Sequence, residues 1–136
     1  DTVFQKMLQD PYFDPIILVC PYTIYGDKQM WNDLEESYNY FTQKKYPVIS
    51  SYSHKQKKWL TLEDLETDIV FFTNPHNLTR KEYYQDAYSN YLSCYVPYSY
   101  SISKYDNYNG QYNQIFHHTL KILKFFKTSL AQKVIM

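Results

Sequence analysis

The polar turn that follows the apolar run at residues 68–73 holds the side chains best suited to chemistry, namely Asn74, His76 and Asn77. A histidine at the carboxyl end of a strand is well placed to act as a general base or to orient a substrate. The alternative is that His76 is a turn residue whose side chain caps the following helix. We predict His76 as the catalytic residue and Asn74 as a substrate-orienting residue beside it.

A second turn, after the apolar run at residues 92–96, offers Tyr98 and Ser99. Tyr98 suits a sugar, since a phenol presents an apolar face and a hydroxyl, although it could equally bond to neighbouring backbone. Ser99 lacks the flanking glycines of a nucleophile elbow, so we predict it to bind a ligand rather than to act as a nucleophile. His117, near the start of the last predicted helix, is a further ligand-binding candidate. Its neighbour His118 points about 100° away, so the pair cannot share a metal ion.

Strand-like and helix-like segments alternate along the chain and would position these residues. Continuous apolar runs predict buried parallel strands, and stripes with helical spacing predict the helices between them. The alternation predicts an α/β fold: a Rossmann-like three-layer sandwich with a mainly parallel sheet of about four strands and helices on both faces. Ligands of such sheets bind beyond the carboxyl ends of the strands. The predicted strands are 16–20, 48–52, 68–73 and 92–96, and the predicted helices are 1–9, 27–45, 79–89 and 113–133.

Two short patterns predict how local segments begin. Thr61 to Asp64 resembles a capping box and should open a helix of one or two turns, and Thr79 to Glu82 is a full capping box that should open the helix ending near Ser89. The lysines around Lys55 are expected to form a solvated loop.

Composition excludes several classes of function. The chain has 136 residues, which fits one domain, and its net charge of zero argues against a nucleic-acid binder with a broad basic face. Only two glycines are present, so a glycine-rich phosphate loop and a nucleotide cofactor are not expected. No His, Cys, Asp or Glu grouping has zinc-ligand spacing, so no metal is predicted. The 17 tyrosines reflect either coding bias or a ligand preference.

Cysteine usage and hydropathy bear on location. Cys20 and Cys94 both fall in predicted buried strands and are expected to be free thiols in the core. Two such cysteines do not make a disulfide framework. Without a signal peptide or a long apolar stretch, the chain is predicted to be cytoplasmic.

Four segments together resemble the amino-terminal half of bacterial CDP-glycerol glycerophosphotransferase-like proteins, which are GT-B-type transferases of teichoic-acid and capsular-polysaccharide synthesis. The similarity runs along nearly the whole chain through short motifs. The segments are residues 7–15 ahead of the first strand, residues 68–75, residues 92–98 and residues 112–117. In that family, a helix like residues 1–9 follows a central strand, which is missing before it here. The four strands would then close in the order 2-1-3-4.

The resemblance implies that residues 1–136 are one Rossmann-like domain, a fragment forming the acceptor-side lobe of a larger two-lobed transferase. The implied function is glycerophosphotransfer or glycosyltransfer to a polyol-phosphate or sugar acceptor. The nucleotide-binding lobe would lie C-terminal to this chain, which would therefore not be active alone. Association with the inner face of the membrane would occur only through the full-length protein. The alternative is a non-catalytic Rossmann-like module that binds a sugar or a protein through the tyrosine-rich segment 98–112.

Overall fold

The computed structural model describes residues 2–74 and 76–96, together with the backbone of residues 133–135. Helices and strands alternate along the described chain, so the protein belongs to the α/β class. The helices are α1 (Thr2–Leu8), α2 (Asp27–Gln43) and α3 (Gln85–Asn90), with a 3-10 helix at Lys81–Tyr83. The strands are β1 (Asp14–Val19), β2 (Val48–Ser50), β3 (Tyr52–Ser53), β4 (Lys58–Trp59), β5 (Ile69–Phe72), β6 (Leu92–Tyr95) and β7 (Lys133–Ile135).

A five-stranded sheet with the order β2-β1-β7-β5-β6 organises the fold, and every pair of neighbouring strands in it is parallel. Among the described residues this sheet has one strand more than the four that were predicted individually. The four predicted strands keep the order 2-1-3-4, but β7 lies between the first and the third. In this central position Val134 is opposite Pro15 of β1 and Ile69 of β5.

The C-terminal segment gives a correction. The helix predicted over residues 113–133 is wrong at Lys133, which begins β7. Residues 113–132 of that prediction lie outside the described residues. The error at Lys133 has a physical reason: a short apolar segment such as Val134-Ile135 suits a buried strand as well as a helix end, and periodicity cannot separate the two.

A small antiparallel hairpin beside the sheet was not predicted. Of the predicted strand 48–52, only Val48–Ser50 belongs to the five-stranded sheet. Tyr52 and Ser53 pair instead with Trp59 and Lys58 in the hairpin. The backbone N–H of Gln56 donates to Ser53 Oγ at 3.2 Å inside the turn. Lysines 55, 57 and 58 are exposed, which confirms the expectation of a solvated loop.

The main core lies between the sheet and the segment that contains the 3-10 helix and α3. Leu18 of β1 and Val70 of β5 contribute from the sheet, and Tyr84 and Ala87 contribute from the segment that covers it. α1 and α2 both contact β1, and Phe4 of α1 is buried. Because β1 and β5 run parallel in this sheet, the turns that follow them lie at the same edge of it.

The two capping boxes have opposite outcomes. The Thr61 N–H donates to Asp64 Oδ2 at 2.9 Å and the Asp64 N–H donates to Thr61 Oγ1 at 3.0 Å, but the segment forms turns rather than a helix. The box predicted at Thr79 does not form. Arg80 precedes the 3-10 helix and pairs with Glu82 at 2.8 Å, which removes the acid that the box would need.

Candidate functional site

A cleft of about 230 Å³ lies at the carboxyl end of β1 and β5. Cys20, Pro21 and Tyr22, which follow β1, form one wall, and Thr73, Asn74 and His76, which follow β5, form another. Asn74 and His76 of the first predicted turn therefore line this cleft, and their role as site residues stays a prediction. Parallel strands bring these turns together because their carboxyl ends lie at the same edge of the sheet.

Asn74 and His76 lie in the same turn, but Asn74 serves the backbone. Its Oδ1 accepts the backbone N–H of His76 at 2.9 Å, which is an Asx turn. The His76 carbonyl in turn accepts the N–H of Leu78 at 3.0 Å. Asn74 therefore fixes the backbone that carries the His76 side chain. The half-buried His76 side chain borders the cleft, where it can exchange a proton or a hydrogen bond with a ligand.

The turns after β1 and β5 are held together by hydrogen bonds to one carbonyl. The Leu78 oxygen accepts the backbone N–H of Thr23 at 3.0 Å and the Thr23 hydroxyl at 3.3 Å. These bonds connect residues far apart in sequence, so the mouth of the cleft has a defined width. The floor is apolar and includes Leu18, Val70 and Phe72.

Tyr83 and Tyr84, two of the three tyrosines that line the cleft, are neutral phenols. The Tyr83 hydroxyl donates to the Leu60 carbonyl at 2.6 Å and to the Ser51 carbonyl at 3.3 Å, so it is committed to the fold. Burial raises the pKa of Tyr83 above its ordinary value, and it raises the pKa of Tyr84 to about 12. Neither phenol is ionised near neutral pH, so neither can act as a base there.

Cys20 and Thr79 also line the cleft and were not predicted as site residues. Burial raises the pKa of the Cys20 thiol from 9.0 to about 12, so the thiolate needed for nucleophilic attack is not formed near neutral pH. Thr79 Oγ1 is buried and has no hydrogen-bond partner among the described residues. The sequence assigned Thr79 to a capping box, and only its place in the fold turns it toward the cleft.

The remaining predicted site residues cannot be placed against this cleft. Tyr98, Ser99 and His117 lie outside the described residues. Cys20 and Cys94 are both free thiols and are half-buried rather than fully buried. Among the described residues no group of His, Cys, Asp and Glu side chains is arranged to hold a metal ion. The described helices are also too short or too polar to cross a membrane.

The fold and the cleft define a class: an α/β protein with a small, largely apolar cleft at the carboxyl edge of a parallel sheet, bordered by one histidine. Comparisons with family models, with curated proteins and with solved structures gave no match. The geometry itself suits a small polar ligand, because an apolar floor is combined with a histidine, a threonine hydroxyl and a tyrosine hydroxyl at the walls.

Proposed function

We propose that this chain is the acceptor-side domain of a GT-B-like CDP-glycerol glycerophosphotransferase or glycosyltransferase of cell-surface polymer synthesis. The observation that carries the proposal is the position of His76 at the carboxyl edge of the sheet, beside the turn that follows β1. In such a reaction an acceptor hydroxyl attacks the donor's phosphorus or anomeric carbon, and the nucleotide leaves. His76 would accept the proton of the attacking hydroxyl.

A Rossmann-like three-layer sandwich is the finer description of the fold that we infer. It is supported by the exclusively parallel pairing of the five-stranded sheet. It is also supported by the helix contacts, since α1 and α2 contact β1 and α3 contacts β6. The central position of β7 supports it further, since it supplies a strand between the two halves of the sheet. In this description the His76 cleft forms one wall of a larger site, and a nucleotide-binding lobe outside this chain forms the other.

Ligand binding by the 136-residue chain tests the acceptor assignment. Titration with glycerol 3-phosphate, followed by backbone amide NMR, should shift the resonances of Thr73 to Leu78 and of Cys20 to Tyr22. His76→Ala should remove most of the affinity. Asn77→Ala is the matched control, because Asn77 is an exposed residue of the same turn that does not line the cleft. Equal binding by His76→Ala and the unaltered chain would rule out His76 as a ligand-contacting residue.

A nucleotide titration tests the assignment to one lobe. CDP and CDP-glycerol should show no tight binding by calorimetry, because the chain has two glycines and no phosphate loop. Tight binding of either nucleotide would overturn the lobe assignment.

The coding sequence beyond residue 136 separates the transferase from a non-catalytic sugar- or protein-binding module. A second α/β domain with a glycine-containing phosphate loop supports the transferase. A stop codon there, or an unrelated module, supports the binding module.

A further inference from the structure

An aromatic cluster lies away from the His76 cleft, between α2 and the β3–β4 hairpin. Trp31 of α2 stacks on Trp59 of β4, with ring centroids 5.4 Å apart and an interplanar angle of 20°. Tyr52 of β3 meets Trp31 edge-on at 4.9 Å and Trp59 at 5.1 Å. His54 packs edge-on against Tyr52 at 5.1 Å. Rings that brace each other in this way are held in fixed orientations.

The two tryptophans differ in access. The guanidinium of Arg80 lies 5.0 Å from the centre of the Trp59 ring, so Trp59 is contacted by both Trp31 and a cation. Trp59 is half-buried, whereas Trp31 is 37% exposed. Burying a large aromatic ring releases free energy, so an exposed and rigidly braced indole is a natural platform for a ligand.

A cleft of about 770 Å³ opens beside Trp31. α2 contributes Glu35, Tyr38 and Asn39 to it, which follow Trp31 at the spacing i+4, i+7 and i+8 and therefore share its face of the helix. The side chains of these three residues make no hydrogen bond or ion pair with any described residue. They present a carboxylate, a phenol and an amide to the cleft, and none of the three is paired within the described fold.

The opposite wall supplies further hydroxyl groups. Ser50 Oγ accepts the backbone N–H of Tyr52 at 3.3 Å and Ser53 Oγ accepts that of Gln56 at 3.2 Å, so each hydroxyl proton remains available to donate. An exposed imidazole, His54, completes this wall. The cleft therefore combines an aromatic platform with both donors and acceptors at its edges.

We propose that this cleft, between Trp31 and Glu35 of α2 and the Ser50–His54 segment, binds a neutral saccharide. A sugar ring has apolar C–H faces that pack on an indole and hydroxyl edges that pair with carboxylate, amide and hydroxyl groups. A wholly apolar ligand would leave Glu35 and Asn39 desolvated and unpaired, which is costly. An anion would be repelled by Glu35. A compact cation would leave most of the polar groups without partners.

The proposal does not depend on the function proposed for the His76 cleft. The two clefts share none of the residues that line them. Loss of glycerol 3-phosphate binding and loss of saccharide binding can therefore be measured separately, and either can fail while the other stands.

Intrinsic fluorescence tests the proposal directly, because the chain has two tryptophans and both belong to this cluster. Titration with glucose, N-acetylglucosamine and their β-linked disaccharides should give a saturable change in emission in the millimolar range. Glu35→Ala should weaken the apparent affinity by about tenfold or more, which corresponds to loss of a good polar contact. The matched control, Glu36→Ala, should bind normally, since Glu36 is exposed on α2 but does not line the cleft.

Two further variants and one competitor complete the experiment. Trp31→Phe should retain binding and Trp31→Ala should abolish it, with Trp59 as the remaining reporter. Thermal unfolding followed by circular dichroism shows whether each variant is folded. If Trp31→Ala does not fold, the exposed pair Glu35→Ala and Asn39→Ala carries the test. Absence of a saturable response to every sugar, equal binding by Glu35→Ala, or a response to choline alone would each overturn the proposal.

Discussion

At the scale of single residues, Tyr83 links three parts of the chain that are distant in sequence. Its ring is buried in the core, and its hydroxyl donates to the carbonyls of Leu60 and Ser51. The Ser51 carbonyl also accepts the N–H of Leu60, so the Leu60 carbonyl is the group that depends most on Tyr83. This single phenol therefore ties the 3-10 helix to the segments on either side of the hairpin.

Tyr83→Phe should lower the free energy of unfolding by about 1–2 kcal/mol, because the Leu60 carbonyl is left without its donor in a partly buried place. Urea denaturation measures the change. Tyr25→Phe is the matched control, since Tyr25 is 70% exposed and should unfold as the unaltered chain does. An unchanged midpoint for Tyr83→Phe would show that water replaces the phenol at no cost.

Alkaline pH should destabilise the protein through groups that burial keeps protonated. Burial raises the pKa of Cys20 from 9.0 to about 12 and that of Tyr84 from 10.0 to about 12. Between these values the unfolded chain has lost protons that the folded chain still binds, so the free energy of unfolding should fall as pH rises from about 9 to about 12. Urea midpoints across this range measure the slope. Cys20→Ala should make it shallower, because it removes one of the groups whose pKa burial raises.

At the scale of elements, the chain uses a helix-start motif to build a turn. Thr61 and Asp64 exchange both bonds of a capping box although no helix follows. The Thr61 backbone N–H, and next the ammonium of Lys58, hold the pKa of Asp64 below its ordinary value. The ionised Asp64 carboxylate thus stabilises the folded state at pH values above the pKa that this carboxyl has in the unfolded chain. This stabilisation is lost as the pH falls through the lower pKa of the folded state.

Thr61→Ala should cost about 1 kcal/mol of stability, because the Asp64 N–H loses its hydrogen bond to the Thr61 hydroxyl. Glu63→Ala is the control, since Glu63 is an exposed residue of the same turn that makes no capping bond. Chemical denaturation of both variants at pH 7 and at pH 3 is the measurement. The difference between them should be smaller at pH 3 if protonation of Asp64 weakens the turn, and an equal difference at both values would contradict this reading.

At the scale of the whole molecule, β7 is the strand that joins the two halves of the sheet. β1 pairs with β2 on one side and β5 pairs with β6 on the other, and β7 bonds to both β1 and β5. A central strand depends on its backbone N–H groups, because both of its edges are occupied.

Val134→Pro should therefore destabilise the protein by about 1–3 kcal/mol, since proline removes a ladder N–H from a central strand and leaves its partner carbonyl unpaired. Val134→Ala retains that N–H and is the matched control. Hydrogen exchange of the β1 and β5 amides, together with thermal unfolding, measures the effect. If Val134→Pro and Val134→Ala unfold alike, β7 does not join the two halves of the sheet.

The sequence by itself determined several of the local elements of this protein. Continuous apolar runs predicted β1, β5 and β6 to within one or two residues, and the apolar stripe predicted α2 from Asp27. Strands buried on both faces and amphipathic helices can be predicted because their pattern of apolar residues repeats over a short stretch of sequence. The same logic predicted that His76 lies in the turn after a strand, and the turn after β5 does border the cleft.

Only the tertiary structure decided which distant segments meet. It inserted β7 between β1 and β5, split the predicted strand 48–52 at Ser51, and turned Asn74 toward the backbone of His76. It also brought Trp31 and Trp59 into contact across 28 residues of chain. Sheet order, hairpin pairing and ring stacking are long-range contacts, and their energies depend on which surfaces are brought together rather than on local pattern.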